Sequence, residues 1–511
     1  MSKVHFLLIL SLLFLSNLQS QNKTFSNPVI HGDVADPSII RIADTYYATG
    51  TSSEWAPFYP MFMSKDLVNW TQTGHVFNKQ PEWTSSSFWA PELYVHNNKV
   101  YCYYTARRKS DNISYIGVAV ADSPTDEFTD HGLLIEFGTE AIDAFVYNDN
   151  GQLYISWKAY GLDKRPIELI GSKLSDDGLK LVGEPFSMLK DDDNIGMEGQ
   201  YHFKKGDYYY IVYAAHGCCG PGSDYDVYVA RSKNFVGPYE KYEGNPILYG
   251  GNNDFQSCGH GTAVETLDGR MFYMCHAYMK GDGFYMGRQP ILQEMYVGDD
   301  NWVRFRSGKI AKIEQPMPFK GIKQKGISNF EDKFDSKTLK VDWTWNYIFT
   351  DIQTRIEKGN LYLSGTPKQG NSFGTVLCLR TQTPNYSFET QVINNNSSMK
   401  GLTIYGDNNN LVAWGIADNK LTLKFIKDGK ENILYQSEEN IPSVYLKVEI
   451  TKATDRSFYW SKNGKQWTKV DDSLLDMSGL VRWDRVARPG MIHIGDENNP
   501  AGFSYFKLIN K

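Results

Sequence analysis

A tyrosine-rich strand signal recurs five times between residues 44 and 272. The copies read Asp44-Thr-Tyr-Tyr47, Asn98-Lys-Val-Tyr101, Gly151-Gln-Leu-Tyr154, Asp207-Tyr-Tyr-Tyr210 and Gly269-Arg-Met-Phe272. Their last residues are spaced by 54, 53, 56 and 62 positions. A repeat of roughly 50 residues with several short strands per unit is the mark of a β-propeller blade. Eleven or twelve positions before these anchors stand Asp36, Trp89, Asp143, Glu198 and His260. Equivalent positions of radially arranged blades converge on the axis. Three carboxylates, an aromatic and a histidine are therefore expected in one central pocket.

The rest of the chain bounds this reading. No stretch shows a sustained helical period, so the class is all-β. The repeats occupy residues 22–315. A Pro-, Gly- and Lys-rich run at 316–326 reads as a linker. From 327 to 511 the long repeat is gone and short alternating strands remain, such as Leu421–Ile426 and Tyr445–Ile450. Many short antiparallel strands suggest a jelly-roll type of β-sandwich. Aromatics reach 14%, with 33 Tyr and 12 Trp; such side chains favour strands and also stack on sugars. The net charge of −6 carries no basic footprint, which argues against nucleic acid as a partner.

The first 20 residues read as a secretory signal peptide. One early lysine, Lys3, precedes an apolar run from Phe6 to Leu15, and small and polar residues follow. The run is too short for a membrane anchor. An exported protein, periplasmic or extracellular, is expected. Of six cysteines, Cys218 and Cys219 are adjacent in a Gly-rich loop. A vicinal disulfide and two free thiols both remain open, and neither cysteine is assigned chemistry.

Each acidic residue alone reads as a turn cap before a strand. Three at one repeat offset do not. Converging carboxylates raise one another's pKa, so one site can hold an acid and a base at the same pH. Two carboxylates in an aromatic-walled cleft is the arrangement of glycoside hydrolysis. A non-catalytic sugar-binding propeller is the alternative from another class, but such a descendant would be free to lose one of the three.

The motifs Ala35-Asp-Pro-Ser38, Phe88-Trp-Ala-Pro-Glu92, Ile142-Asp143, Glu198-Gly199 and Gly287-Arg288 together resemble glycoside hydrolase family 43. That family comprises five-bladed propeller enzymes acting on arabinose- and xylose-containing polysaccharides. The resemblance implies an inverting enzyme, with Asp36 as general base, Glu198 as general acid and Asp143 as the modulator of the acid's pKa. It places Arg288 in the pocket on a sugar hydroxyl or a carboxylate. It makes His260 a possible partial anchor, through water, for a calcium ion in the channel. No cofactor is implied for the chemistry itself. Trp89 is expected as a pocket wall; Phe145, Trp55 and Phe58 are wall candidates or ordinary core. Ala144 and Gln200 replace prolines common in the family, which leaves the subfamily open. Phe334-Asp335 and Trp343-Thr-Trp345 resemble the concanavalin-like sandwich that follows the propeller in β-xylosidases of the family. The implied substrate is an oligosaccharide or polysaccharide losing terminal xylose or arabinofuranose, with a galactan-directed exo-enzyme as an alternative.

Overall fold

The computed structural model describes residues 23–160, 165–368, 370–371, 373–393, 396–470, 478–480 and 485–511. The expected signal peptide lies outside the described residues. Five four-stranded antiparallel sheets follow one another in chain order. Blade 1 comprises Ser38–Ile42, Thr45–Thr49, Phe58–Ser64 and Thr71–Phe77, and blade 2 Thr84–His96, Lys99–Arg108, Ser114–Ala121 and Thr129–Ile135. Blade 3 comprises Glu140–Asp149, Gln152–Tyr160, Glu168–Lys173 and Phe186–Lys190, and blade 4 Glu198–Lys205, Tyr208–Ala215, Asp226–Ser232 and Glu240–Lys241. Blade 5 comprises Phe255–Glu265, Met271–Met279, Gln289–Val297 and Val303–Phe305. The first strands adjoin their neighbours all the way round, and that of blade 5 adjoins that of blade 1. This is a closed five-bladed propeller.

The five anchors of the repeat all lie in second strands. The aromatic richness there has a packing reason. Tyr103, Tyr104, Tyr210, Tyr213 and Tyr273 are fully buried and fill the wedges between blades. Three of these hydroxyls are hydrogen-bonded, those of Tyr103, Tyr104 and Tyr210, whereas the Tyr273 hydroxyl is buried without a partner. Tyr103 donates across to Gly178 O of blade 3 at 3.0 Å, and Tyr210 to Asn301 O of blade 5 at 3.0 Å. The wedge packing thereby fixes the angle between neighbouring blades.

After residue 330 two antiparallel sheets of eight and seven strands form the sandwich. Its core holds Trp343, Trp414, Phe388, Phe458 and Phe506. Trp343 donates its indole N–H to Asp332 Oδ2 at 2.9 Å, so it serves the sandwich interior. Trp345 and Tyr347 make the contact with the propeller. Trp345 exchanges backbone hydrogen bonds with Ala56 at 2.8 and 3.1 Å. Tyr347 meets Phe58 edge-on at 4.7 Å, and Phe58 packs on Phe88 at 4.1 Å. Arg488 lies over the Trp55 ring at 4.2 Å, and Arg485 pairs with Glu54 at 2.7 Å. Trp55 and Phe58 therefore belong to the junction of the two domains.

The run read as a linker is fastened to the propeller. Glu314–Pro316 pairs with Thr24–Ser26. Gln324 bonds both the amide and the carbonyl of Ser26, at 2.7 and 2.8 Å, and the Lys325 amide donates to Asn69 Oδ1 at 2.7 Å. Phe58→Ala is expected to destabilise the full chain by about 3–5 kcal/mol, because it opens a cavity under both Phe88 and Tyr347. Urea denaturation followed by tryptophan fluorescence measures this; an unchanged midpoint would remove the junction from the stability of the fold.

Candidate active site

One backbone feature recurs at the axial end of every blade. Asp36, Ala90, Asp143, Gly199 and His260 all have positive φ, at 51°, 42°, 59°, 61° and 46°. In blades 2 to 5 the ladder between first and second strand shifts register around this residue. A bulge with a left-handed residue re-aims the side chains beside it, and L-residues adopt that conformation only at a cost. In blades 2 and 4 the left-handed residues are Ala90 and Gly199, so Trp89 and Glu198 stand one position ahead of it. Gly199 is required twice over. A Cβ there would lie 2.5 Å from Cγ of His260.

A second offset, unread in the sequence, supports the first. Four positions after each anchor stand Thr51, Thr105, Lys158, Ala214 and His276. Each meets the left-handed residue of the next blade or a residue beside it. The Ala90 amide donates to Thr51 Oγ1 at 2.9 Å, and the Asp143 amide to Thr105 Oγ1 at 3.2 Å. The Asp36 amide donates to His276 Nδ1 at 3.1 Å, closing the ring from blade 5 to blade 1. Burial lowers the pKa of His276 to about 4, so the ring is neutral and its Nδ1 lone pair accepts that amide. The Ala214 methyl abuts Gly259. At the junction of blades 3 and 4 the pattern changes, because a lysine accepts nothing. Lys158 donates its ammonium to Glu198 Oε2 at 2.5 Å, and the Gly199 amide turns to Asp143 Oδ2 at 3.1 Å.

Five of the expected residues meet around the axis: Asp36, Asp143, Glu198, His260 and Arg288. Arg288 donates to Asp36 Oδ1 at 3.1 Å and Thr51 Oγ1 to Asp36 Oδ2 at 2.6 Å. His260 Nδ1 lies 3.5 Å from Asp36 Oδ1 and 3.7 Å from Asp143 Oδ2. Tyr225 donates its hydroxyl to Glu198 Oε1 at 2.5 Å. Trp89 is half-buried, with the Arg107 guanidinium 5.7 Å from its ring. Phe145 is elsewhere. It packs edge-on against Tyr201 at 5.3 Å in the core of blades 4 and 5, and borders a separate groove of about 560 Å³ with Tyr94 and Tyr201.

The three carboxylates are held in different states. Burial alone would raise Asp36, but the Arg288 guanidinium, and then His260, outweigh it and hold Asp36 well below the usual range. Burial and the neighbouring Glu198 push Asp143 up to about 7, against the opposing pull of His260 and Lys158. Burial would raise Glu198 too, but the Lys158 ammonium and the Tyr225 hydroxyl lower it. An ionised carboxylate and a proton-bearing pair thus share one pocket, which is what acid–base chemistry on one substrate needs.

The Glycosyl hydrolases family 43 model matches residues 25–303. The chain belongs to that family. The family 43 domain is followed by a match to the Beta xylosidase C-terminal Concanavalin A-like domain over residues 331–508. The protein is accordingly an inverting O-glycosyl hydrolase. It is similar to an extracellular exo-alpha-(1->5)-L-arabinofuranosidase of Cellvibrio japonicus, 33% identical over 52% of this chain and 85% of that one. It is similar to a beta-xylosidase of Bacillus subtilis, 26% identical over 95% of this chain and 99% of that one. In fold it matches a family 43 protein, BlXynB, of Bacillus licheniformis, with a TM-score of 0.82, 24% identity and coverage of 96% and 100%.

The sandwich of this family 43 enzyme reaches the rim of the pocket. A Cβ on Gly287, next to Arg288, would lie 2.6 Å from Val486 Cγ2. Gly199→Ala is expected to cut kcat/KM at least about tenfold, the equivalent of 1.4 kcal/mol, because His260 must shift. Kinetics on an aryl glycoside alongside a melting curve check this; full activity would show that the close approach is dispensable.

Proposed function

We propose that the chain is an exported exo-acting family 43 glycosidase that releases terminal xylose or arabinofuranose, with Asp36 as general base and Glu198 as proton donor. The observation that carries the reading is the split among the carboxylates: Arg288 holds Asp36 well below the usual range, while burial and the neighbouring Glu198 push Asp143 up to about 7 and Lys158 lowers Glu198. In the proposed step a water gives its proton to Asp36 and its oxygen attacks the anomeric carbon from one face. The glycosidic C–O bond breaks on the other face and the departing oxygen takes the proton from Glu198. Asp143 stores the proton that the pair exchanges. Arg288 keeps Asp36 charged and unprotonated. Trp89 supplies an apolar wall.

The choice of sugars rests on the arabinofuranosidase and β-xylosidase activities named for the two relatives. The apolar junction at Trp55, Tyr347 and Val486 supports an exo mode, because it puts the sandwich against one side of the pocket. Export rests on the leader sequence and on the extracellular relative. Among the described residues no helix is long and apolar enough to cross a membrane.

Calcium fits poorly. The axial cavity beneath the carboxylates is lined by Glu92, Gln200, His260 and Thr262 and has a volume of about 10 Å³. That is the space of one water, whereas calcium takes six to eight oxygen ligands. Among the described residues no cluster of three His, Cys, Asp or Glu is placed to hold a metal. Gln200 Oε1 is buried there without a hydrogen-bond partner, and one water would satisfy it. No step is routed through a metal.

Glu198→Ala is expected to lose most activity on a disaccharide with a poor leaving group and far less on a 4-nitrophenyl glycoside. A panel of such glycosides with the sugar varied identifies the sugar. Equal loss on both substrate types would take the proton donor's role away from Glu198. Arg288→Met is expected to move the acidic limb of the kcat/KM profile to higher pH. Loss of the cation raises the Asp36 pKa, so a higher pH is needed to ionise the base. A limb that stays in place would uncouple Arg288 from the base.

A further inference from the structure

The structural element without a role so far is the cation on the proton donor. An acid must carry a proton to give one, yet Lys158 Nζ sits 2.5 Å from Glu198 Oε2 with only 12% of its side chain exposed. The four other positions of the same ring hold Thr51, Thr105, Ala214 and His276, all uncharged as described. The amide that a threonine would receive at this junction goes to Asp143 Oδ2 instead. One substitution in the ring therefore changes the partners of two carboxylates.

From this same position the Lys158 ammonium also borders a second set of partners on blade 3. The Tyr160 ring lies 5.5 Å from its ammonium, and Glu140 faces it from the register partner of Tyr160. Tyr160 is 51% exposed, so this side opens to the rim of blade 3. A cation over an aromatic face beside a carboxylate is held there without Glu198.

We propose that Lys158 is a two-seat positioning residue that decides which of Asp143 and Glu198 carries the proton they share. The inference rests on the family 43 reading of Glu198 as proton donor. With Lys158 on Glu198, that carboxylate is ionised and the proton is on Asp143. When substrate enters and Lys158 withdraws to Tyr160 and Glu140, the proton passes from the Asp143 carboxyl to Glu198. Asp143 becomes the carboxylate and Glu198 the acid; the number of protons is unchanged. The acid is armed only with substrate in place. The charged and titratable groups around Glu198 are Lys158 and Asp143 from blade 3, Tyr225 from blade 4, His260 from blade 5 and, across the axis, Asp36 with Arg288. Of these, Lys158 is the cation in direct contact.

The test uses the full chain with Lys158→Met and Lys158→Arg, and reads kcat/KM against pH on a xylo- or arabino-disaccharide. The alkaline limb reports loss of the shared proton, and two coupled groups titrate there as a pair. Removing the adjacent cation should move that limb to higher pH by about 1–3 units, while Lys158→Arg should leave it near the wild-type position. On a 4-nitrophenyl glycoside, which needs little protonation of its leaving group, Lys158→Met should change the rate less than on the disaccharide. A limb that stays in place, or moves to lower pH, in a folded Lys158→Met overturns the proposal. Lys158→Gln carries the same test if the methionine variant does not fold. Glu198→Ala run beside it keeps the two claims apart. If Glu198→Ala selectively loses the disaccharide while Lys158→Met leaves the limb unmoved, the switch fails and the proton donor stands. If Glu198→Ala loses both substrates equally, the underlying reading fails.

Discussion

Everything at the axis depends on one hydrogen-bond relay between neighbouring blades. A left-handed residue interrupts the first strand of blades 2 to 5 and stands just ahead of that of blade 1, and its strain needs a fixed partner. At three of the five junctions the preceding blade supplies that partner through the side chain four residues past its aromatic anchor. Thr51 holds Ala90, Thr105 holds Asp143 and His276 holds Asp36. The relay runs across the blade boundaries, so the angle between blades and the position of each carboxylate are set together. The buried tyrosines of the second strands fix that angle from outside. Stability and catalysis share the same strands for this reason.

The relay also assigns the charges. The His276 junction takes a neutral ring and leaves Asp36 to Arg288, which holds its carboxyl well below the usual range. The Thr105 junction gives Asp143 an amide contact but no cation of its own, and burial leaves that carboxyl holding a proton. The Lys158 junction replaces an acceptor with a cation and pulls the charge onto Glu198. Three chemically similar carboxyls, a few residues from equivalent strand positions, are thus set apart by what stands four residues beyond each anchor.

Much of this was legible in the sequence, and the limits were physical. The five aromatic second strands and the three carboxylates share residue types as well as spacing, so counting found them. The supporting positions share only their spacing: Thr, Thr, Lys, Ala and His have no common chemistry, and they do not stand out until a structure shows what each one touches. Counting forward four residues from the anchors would have reached them. Tyr225 sits on no shared offset and gave no signal. Phe145, Trp55 and Phe58 show the opposite limit. An aromatic beside a site residue packs inward or faces a cleft with the same local pattern, and which one holds was decided by Tyr201 in the next blade and by Tyr347 and Arg488 from the sandwich. The same long-range contact separated Trp343, a core residue, from Trp345, a junction residue, although they are two positions apart. The adjacent Cys218 and Cys219 were open between thiols and disulfide; they are joined.

The central claim is that the three carboxyls are set apart before substrate arrives, with Asp143 raised and Asp36 and Glu198 lowered. Carbon-13 NMR of side-chain carboxyls labelled in the full chain, with each signal assigned through its Asn or Gln variant, reads those states directly. The account predicts that Asp143 titrates near 7, while Asp36 and Glu198 stay ionised to lower pH than an ordinary carboxylate. An Asp143 signal that titrates in the ordinary acidic range, with Asp36 protonating above it, would contradict the account.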